Sequence, residues 1–482
     1  MDTLSEVVEQ LRAALAKRDA VIAAQAKLIE GLTVKVQGLE ALASRQNALL
    51  GQNSRNSNLP PSSDGPAGAG GTKPRPKAKS GSKRGGQSKH KGAHRALVSA
   101  ENVDEVVDMY PAHCVACAAC LPKTPDTRPR RHQHTELAPF APHVTEYRRH
   151  EVCCPTCGHR TRALYDDDII PSSAFGPRLM ATVALLTGVY HLSRRKAVNL
   201  LYELLGLRIS TGSVSNIEKR MSQAVEPAFD EAWASARAAA VKHTDGTTWL
   251  QAGAILALWT VATVGVTAFK IVPNGQRETL EREILPTTDG VLVSDRATAL
   301  KFWAMKQRQV CWAHLVRKFV SFSERDGPAR TLGRELLDCT GLIFAYWADF
   351  KDDRLTREQL TARMAPVRAD FERTLQRALA AEVKGFSGSC ADIWEHREAL
   401  WTFVEVDGVE PTNNHAEREL RGFVLWRKRS FGTQSDRGNR FAERLMTIAQ
   451  TARKQGRKLL AFLIACATRT GDEPAPSLFA TA

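Results

Sequence analysis

No uninterrupted apolar run in the 482 residues approaches the ~20 that a membrane-spanning helix needs. The stretch from Ala254 to Val272 comes nearest, but Trp259, Thr260, Thr263, Gly265, Thr267 and Lys270 interrupt it. A secretory pattern is also missing, because the first residues are acidic and amphipathic. These absences predict a cytoplasmic protein with no membrane partner. Negative charge is absent from one whole segment: Lys73 to Arg95 holds nine lysines and arginines and no acid. Over the full chain 67 basic residues outnumber 52 acidic ones, a net charge of +15. A chain this basic is expected to meet a polyanion, and nucleic acid is the commonest.

What is present divides the chain into segments. Residues 1–50 carry an unbroken heptad, with Val8, Leu15, Ile22, Ile29, Val36, Ala43 and Leu50 at a, and Leu4, Leu11, Leu32 and Leu39 among the d positions. Branched residues at a with leucine at d predict a two-stranded coiled coil, hence a homodimer through this helix. Residues 51–109 read as a basic disordered linker, since Pro60-Pro61 and the Gly/Ser/Ala run that follows supply no core. Its lysines and arginines can lie on phosphates without reading sequence.

Six of the ten cysteines fall between Cys114 and Cys157, in the segment 110–170. Cys117-x2-Cys120 is followed after 33 residues by Cys154-x2-Cys157. Two such pairs present four sulfurs to one tetrahedral ion, which predicts a structural Zn2+. Cys114-x2-Cys117 is an equally spaced alternative for the first pair. The other four cysteines, Cys311, Cys339, Cys390 and Cys466, lie in apolar contexts and read as core residues.

Residues 171–236 read as helices. One starts near Pro177, a second runs from Ser193 to Leu205, and a third, capped by Ser210-Thr211, spans Gly212 to Met221 across the turn at Gly206. The last pair fits a helix-turn-helix whose polar second helix, with Ser213, Ser215, Asn216, Lys219 and Arg220, would enter the major groove.

From 237 to 465 the pattern changes to strands. Val241–Trp249 carries Asp245; Ile255–Val264 and Thr267–Val272 follow; Gly290–Asp295 is a short apolar strand ending in a second aspartate; Arg308–Trp312 leads into a basic helix. Three antiparallel strands and then parallel strand–helix units match a ribonuclease H-like fold, in a multidomain α/β chain. Residues 321–405 read as a helical insertion, and 466–482 as a tail. Pro411-Thr412-Asn413-Asn414-His415-Ala416-Glu417-Arg418 opens another helix, which Asn413 and Asn414 can cap. Carboxylates from separate elements can converge on two hard cations, and phosphodiester cleavage uses such a pair.

Thr244-Asp245-Gly246-Thr247, Ser294-Asp295, the run Cys311-Trp312-Ala313-His314-Leu315-Val316-Arg317-Lys318-Phe319, Asn413 to Arg418, and Arg427-Lys428-Arg429-Ser430-Phe431-Gly432-Thr433 together resemble the IS66 family of bacterial insertion-sequence transposases. The linker from Gln52 to Asp64 and the cysteine pairs are similar to the same family's. The family often follows its first aspartate with Glu-Thr, where this chain has Gly246-Thr247. The resemblance implies a DDE transposase whose catalytic residues are Asp245, Asp295 and Glu417, binding two Mg2+ ions, with Mn2+ as a substitute. It implies binding to the terminal inverted repeats, strand cleavage there, strand transfer into target DNA, association with the nucleoid, and small accessory proteins from the same element. His314, Arg317 and Lys318 would lie near the site, and Arg418, Arg421, Arg427, Lys428 and Arg429 on the DNA backbone. The competing readings are a DNA-binding regulator or a nuclease of the same fold without transposition activity.

Overall fold

The computed structural model describes residues 9, 15–33, 35–36, 96–137, 141–165, 173–469 and 473–479. The basic run from Lys73 to Arg95 and much of the predicted heptad lie outside the described residues. Residues 15–33 are helical and exposed along their length, and Leu15, Ile22, Ile29 and Leu32 of the heptad face solvent. No helix among the described residues is long and apolar enough to cross a membrane.

The chain separates into two units. The smaller comprises residues 72–147 and 203–207. Its described residues from 96 to 147 carry little regular secondary structure; the Gln133 side chain accepts from the Val98 N–H at 2.7 Å and donates to the Val98 carbonyl at 2.9 Å. It also holds a tight turn at Cys114–Cys120.

The larger unit is mixed α/β. Its first strands form the hairpin β1 (Glu151–Cys153) and β2 (Arg160–Arg162). Four helices follow: α1 (Pro177–Ala184), α2 (Arg194–Leu205), α3 (Thr211–Ala224) and α4 (Glu226–Ala238). Pro177 stands in the first turn of α1, where the missing N–H costs nothing. As expected, Ser210 caps α3, its hydroxyl accepting from the Ser213 N–H at 2.9 Å.

A five-stranded sheet forms the centre: β3 (Val241–Gln251), β4 (Ala254–Ala262), β5 (Thr267–Val272), β6 (Val291–Ser294) and β7 (Arg308–Val310), in the order β5-β4-β3-β6-β7. The first three strands are antiparallel neighbours, and β6 and β7 run parallel to β3. Strand β6 is buried along its length, as its apolar run Val-Leu-Val requires. Helices α5 (Trp312–Ser323), α6 (Pro328–Lys351), α7 (Arg357–Ala380) and α8 (Ser387–Glu395) form a second core with β6 and β7, centred on Trp312, Phe319, Phe322, Phe371, Phe386 and Trp401. Then come α9 (Asn414–Ser430), α10 (Asp436–Lys454) and α11 (Leu459–Thr468). Leu420, Phe423 and Trp426 of α9 and Ala442 and Met446 of α10 pack against Trp249, Leu258 and Phe269 of the sheet.

The sheet's outer strand, β5, is closed by α10. Successive outward N–H groups of β5 donate to side chains one helical turn apart: Thr267 to Thr451 Oγ1 (3.2 Å), Phe269 to Thr447 Oγ1 (3.0 Å) and Ile271 to Glu443 Oε2 (2.8 Å). The Thr451 hydroxyl donates back to the Thr267 carbonyl at 3.1 Å. Lys454 continues the series onto the Thr263 and Val266 carbonyls at the β4–β5 turn. An edge that would otherwise template further strands is thus satisfied from within the chain.

Candidate active site

Strand β3 pairs in parallel with β6 through His243–Val293. Extending that register two places brings Asp245 beside Asp295, which follows the last residue of β6. Each aspartate is anchored by a backbone N–H, Gly246 to Asp245 Oδ1 and Ala297 to Asp295 Oδ1, both at 2.9 Å. A Cβ at position 246 would meet the Trp259 ring at 2.8 Å. That ring leaves room for glycine alone there. Below Asp295 the buried Arg308 donates to the Asp295 carbonyl (2.7 Å), Ser294 Oγ (3.2 Å) and the Leu300 carbonyl (3.3 Å), fixing the loop.

Glu417 comes from the first turn of α9. Its Oε1 lies 3.7 Å from His314 Nδ1, and its Oε2 lies 3.7 Å from Arg317 Nη2, both on α5. The three carboxylates share one electrostatic environment. Burial first, then the negative charge of Asp295, then that of Glu417, push the Asp245 carboxyl up to about 7, against the lowering by the Gly246 N–H and Arg317. Burial lowers His314, favouring the neutral imidazole.

Asn413 ties these elements together and is fully buried. The sequence suggested it as the cap of α9, and it does occupy that position, but its side chain makes no capping bond. The amide instead donates to the Thr244 carbonyl at 2.7 Å and pairs with His243 Nδ1 at 3.2 Å. Its N–H meets Cys311 Sγ at 3.1 Å, and its carbonyl accepts the Glu417 N–H at 3.3 Å. The Cys311 N–H donates in turn to the Ser294 carbonyl at 2.9 Å. The backbone beside each of the three carboxylates is therefore linked to one asparagine and one cysteine. The sequence reading placed Cys311 among ordinary core cysteines. Burial does push its thiol up to about 11, so it stays protonated, yet its sulfur belongs to the site's frame. The Cys311-x2-His314 spacing, on the first turn of α5, was the available signal.

A divalent cation suits this place. Glu417 Oε1 and His314 Nδ1 are buried polar atoms without a hydrogen-bond partner, and the clustered acids repel one another. Among the described residues, the one trio of candidate ligand atoms within 4.8 Å of each other is Cys311, His314 and Glu417. Glu417 is thus turned toward α5 rather than gathered as closely with the two aspartates.

The family model of the IS66 transposases matches residues 172–440, more than half of the chain. The chain belongs to that family. Membership carries a transposase-type, DNA-cutting function, DNA as partner, and the use of divalent metal. Residues 6–96 match a family of unknown function, and no curated protein matches the chain.

The residues expected on DNA divide within this transposase. Arg418, Arg421, Lys428 and Arg429 present exposed positions along α9. Arg427 does not: it folds onto β3, bonding Thr247 Oγ1 (3.1 Å), Thr248 Oγ1 (2.7 Å) and the Thr248 carbonyl. Lys318 lies over the Phe322 ring, 5.7 Å from its centre. On α3, Asn216 and Lys219 are exposed, Ser213 and Arg220 are half-buried, and Ser215 accepts from Arg437 of α10 at 2.7 Å. Helix α3 packs mainly on α1, α10 and α11.

Each cysteine turn has the same local build. In the larger unit the Cys154 N–H donates to the His159 carbonyl and the Gly158 N–H to the Cys154 carbonyl, with Gly158 at φ 73°. Backbone N–H groups of Cys157 and Thr156 lower the Cys154 thiol to about 7. In the smaller unit the Cys114 N–H donates to the Ala119 carbonyl and the Ala118 N–H to the Cys114 carbonyl, with Ala118 at φ 59°. The N–H groups of Ala116 and Cys117 lower the Cys114 thiol. Position for position, Cys114 and Cys117 match Cys154 and Cys157, while Cys120 lies in a β-bridge with His113.

Proposed function

We propose that this chain is a DDE transposase with a ribonuclease H-like catalytic core. It binds the terminal inverted repeats of its element, cuts a strand there, and joins the freed end to target DNA. The observation that carries this reading is the electrostatic coupling of Asp245 to Asp295 and Glu417, which come from two parallel strands and a helix to one half-buried neighbourhood. Three antiparallel strands flanked by two parallel ones support the core assignment.

Asp245, Asp295 and Glu417 would hold two Mg2+ or Mn2+ ions. When bound, such ions stabilise charge developing on the phosphate and acidify the attacking water or 3′-hydroxyl. The protein's own part is positional. Gly246 and Ala297 fix the aspartates, Asn413 fixes the start of α9, and Arg317 offers a guanidinium beside Glu417 for a phosphate oxygen. Neutral His314 keeps a second positive charge away from the metal ligands.

The exposed face of α3 with Asn216 and Lys219 is proposed to read the element's ends, as the second helix of a helix-turn-helix. The exposed apolar face of residues 15–33 supports a homodimer. Accessory proteins of the same element remain part of this reading. Zinc is proposed for the cysteine turns, with Cys114 and Cys117 as the first pair.

One preparation tests the set. With Mg2+ and DNA carrying the inverted repeats that flank the coding sequence, the parent cleaves a strand at the repeat. Asp245→Asn, Asp295→Asn and Glu417→Gln each abolish cleavage while DNA binding persists. A folded variant that cuts at the parent rate removes that residue from the triad. Cleavage without joining favours the nuclease, and binding without cleavage the regulator. Metal analysis of the same protein yields zinc, and a zinc-free folded chain overturns that assignment.

A further inference from the structure

Phe431 ends α9 in a conformation that a bulky side chain rarely adopts. It sits at φ 57°, ψ 31°, where a helix usually places glycine, and 74% of it is exposed. Such a position is strained and persists only when its surroundings fix it. Here they do. The Phe431 N–H donates to the Arg427 carbonyl at 2.8 Å. Gly432 lies so close to β3 that a Cβ would meet the Leu250 carbonyl oxygen at 1.9 Å. Thr433 then joins the hairpin, its N–H donating to Leu250 O at 2.9 Å and its carbonyl accepting from Ala252 N–H at 2.8 Å. The Thr433 hydroxyl accepts from Trp249 Nε1 at 3.2 Å. The backbone on both sides is held, and the ring is presented to solvent.

The ring's chemical surroundings point to its ligand. Lys428 and Arg429 stand exposed just before it, and Arg418 and Arg421 lie on exposed positions of the same helix. Fourteen residues separate Phe431 from Glu417, which is about 20 Å along the helix. A phosphate backbone crossing the basic positions of α9 from the carboxylates would reach the ring after about six base steps. A neutral aromatic face held rigidly beside cations is how proteins receive an unpaired base: the cations hold phosphates, and the ring stacks on a base of any identity.

We propose that Phe431 is a base-stacking site for DNA unpaired near the cleavage point. The inference rests on the reading of this chain as a DNA-cutting transposase, and it adds that the enzyme engages unstacked nucleotides as well as duplex. The ring accepts an exposed base; no bond forms or breaks there.

The test uses the full chain and two probes of arbitrary sequence. One is a blunt duplex; the other is the same duplex with a five-nucleotide single-stranded flank containing 2-aminopurine, whose fluorescence falls on stacking. The parent is expected to bind the flanked probe more tightly and to quench it. Phe431→Ala and Phe431→Leu lose the quenching and weaken flanked-probe binding roughly tenfold, with blunt-duplex binding unchanged. Phe431→Trp restores both. Leucine separates stacking from simple apolar contact. If the alanine and leucine variants quench like the parent, or lose both probes equally, the ring is not a stacking site. If they instead change the chain's oligomeric state, Phe431 is a contact between copies and the proposal falls. If the parent binds neither probe, the transposase reading fails first.

Discussion

The middle strand and the outer edge of the central sheet each shield a carboxyl group, and both groups are pushed up to about 7. Burial is the leading cause for Asp245 on β3 and for Glu443 against the β5 edge. The remaining causes differ: for Glu443 they all lower, whereas for Asp245 the Gly246 N–H and Arg317 lower and two acids raise. Asp245 is raised further by Asp295 and Glu417, whereas Glu443 is lowered by the Ile271 N–H and by Lys270, Arg444 and Arg440. Glu443 is therefore a structural acid whose surroundings already compensate it. Asp245 belongs to a cluster of acids that the Gly246 N–H and Arg317 compensate only in part, and an external cation can relieve the rest. In this molecule it is the acid neighbours that separate the candidate site from the structural carboxyl.

The largest expected effect tests that distinction. Asp245 has a folded pKa above its unfolded value, so its contribution is present below the unfolded pKa and is lost as pH rises through about 7. At pH 8 without metal, Asp245→Asn should therefore be more stable than the parent, by up to about 4 kcal/mol. Mg2+ or Mn2+ should raise the parent's Tm and leave the Asn variant nearly unmoved. Glu443→Gln should keep the metal response. Equal responses in thermal melts of both variants would erase the comparison.

A smaller effect is expected along the α10 ladder. Thr447→Val keeps the volume but strands the Phe269 N–H in a buried place, costing about 2 kcal/mol in a denaturant melt. Thr451→Val should do the same to the Thr267 N–H, while metal response stays intact. A cost near zero would mean that β5 finds other partners.

The smallest effect concerns pH. Since the Glu443 pKa is also raised on folding, stability should fall as pH climbs from the unfolded value toward about 7. Glu443→Gln should flatten that part of the profile, removing a slope of up to about 1.4 kcal/mol per pH unit. An unchanged slope in a pH series of melts would assign it to other groups.

Much of this was legible in the sequence, for physical reasons. Branched apolar runs such as Val291–Val293 announce buried strands, and Asp295 stands where such a run stops. Ser210 and Pro177 mark helix starts that the structure keeps. Asn413 was misjudged because asparagine before a helix usually caps it; only the folded chain shows the His243 and Thr244 groups competing for its amide. Arg427 and Ser215 looked like contacts for DNA because sequence cannot reveal that Thr248 and Arg437 already use them. Glu443, Thr447 and Thr451 gave no signal, since their partners lie more than 170 residues away on β5.

That ladder has a consequence for how the chain can vary. Four residues of helix advance about 6.0 Å and two residues of strand about 6.6 Å, so the two repeats stay in step over three rungs. Substitution of one rung leaves the others in place. Insertion or deletion of a single residue between Glu443 and Thr451 is different, because it turns everything beyond it by about 100° around the helix axis. The rungs on one side of the change would then point away from β5, and Lys454 would swing off the β4–β5 turn with them. This stretch of α10 is a ruler: its length is held more tightly than its letters.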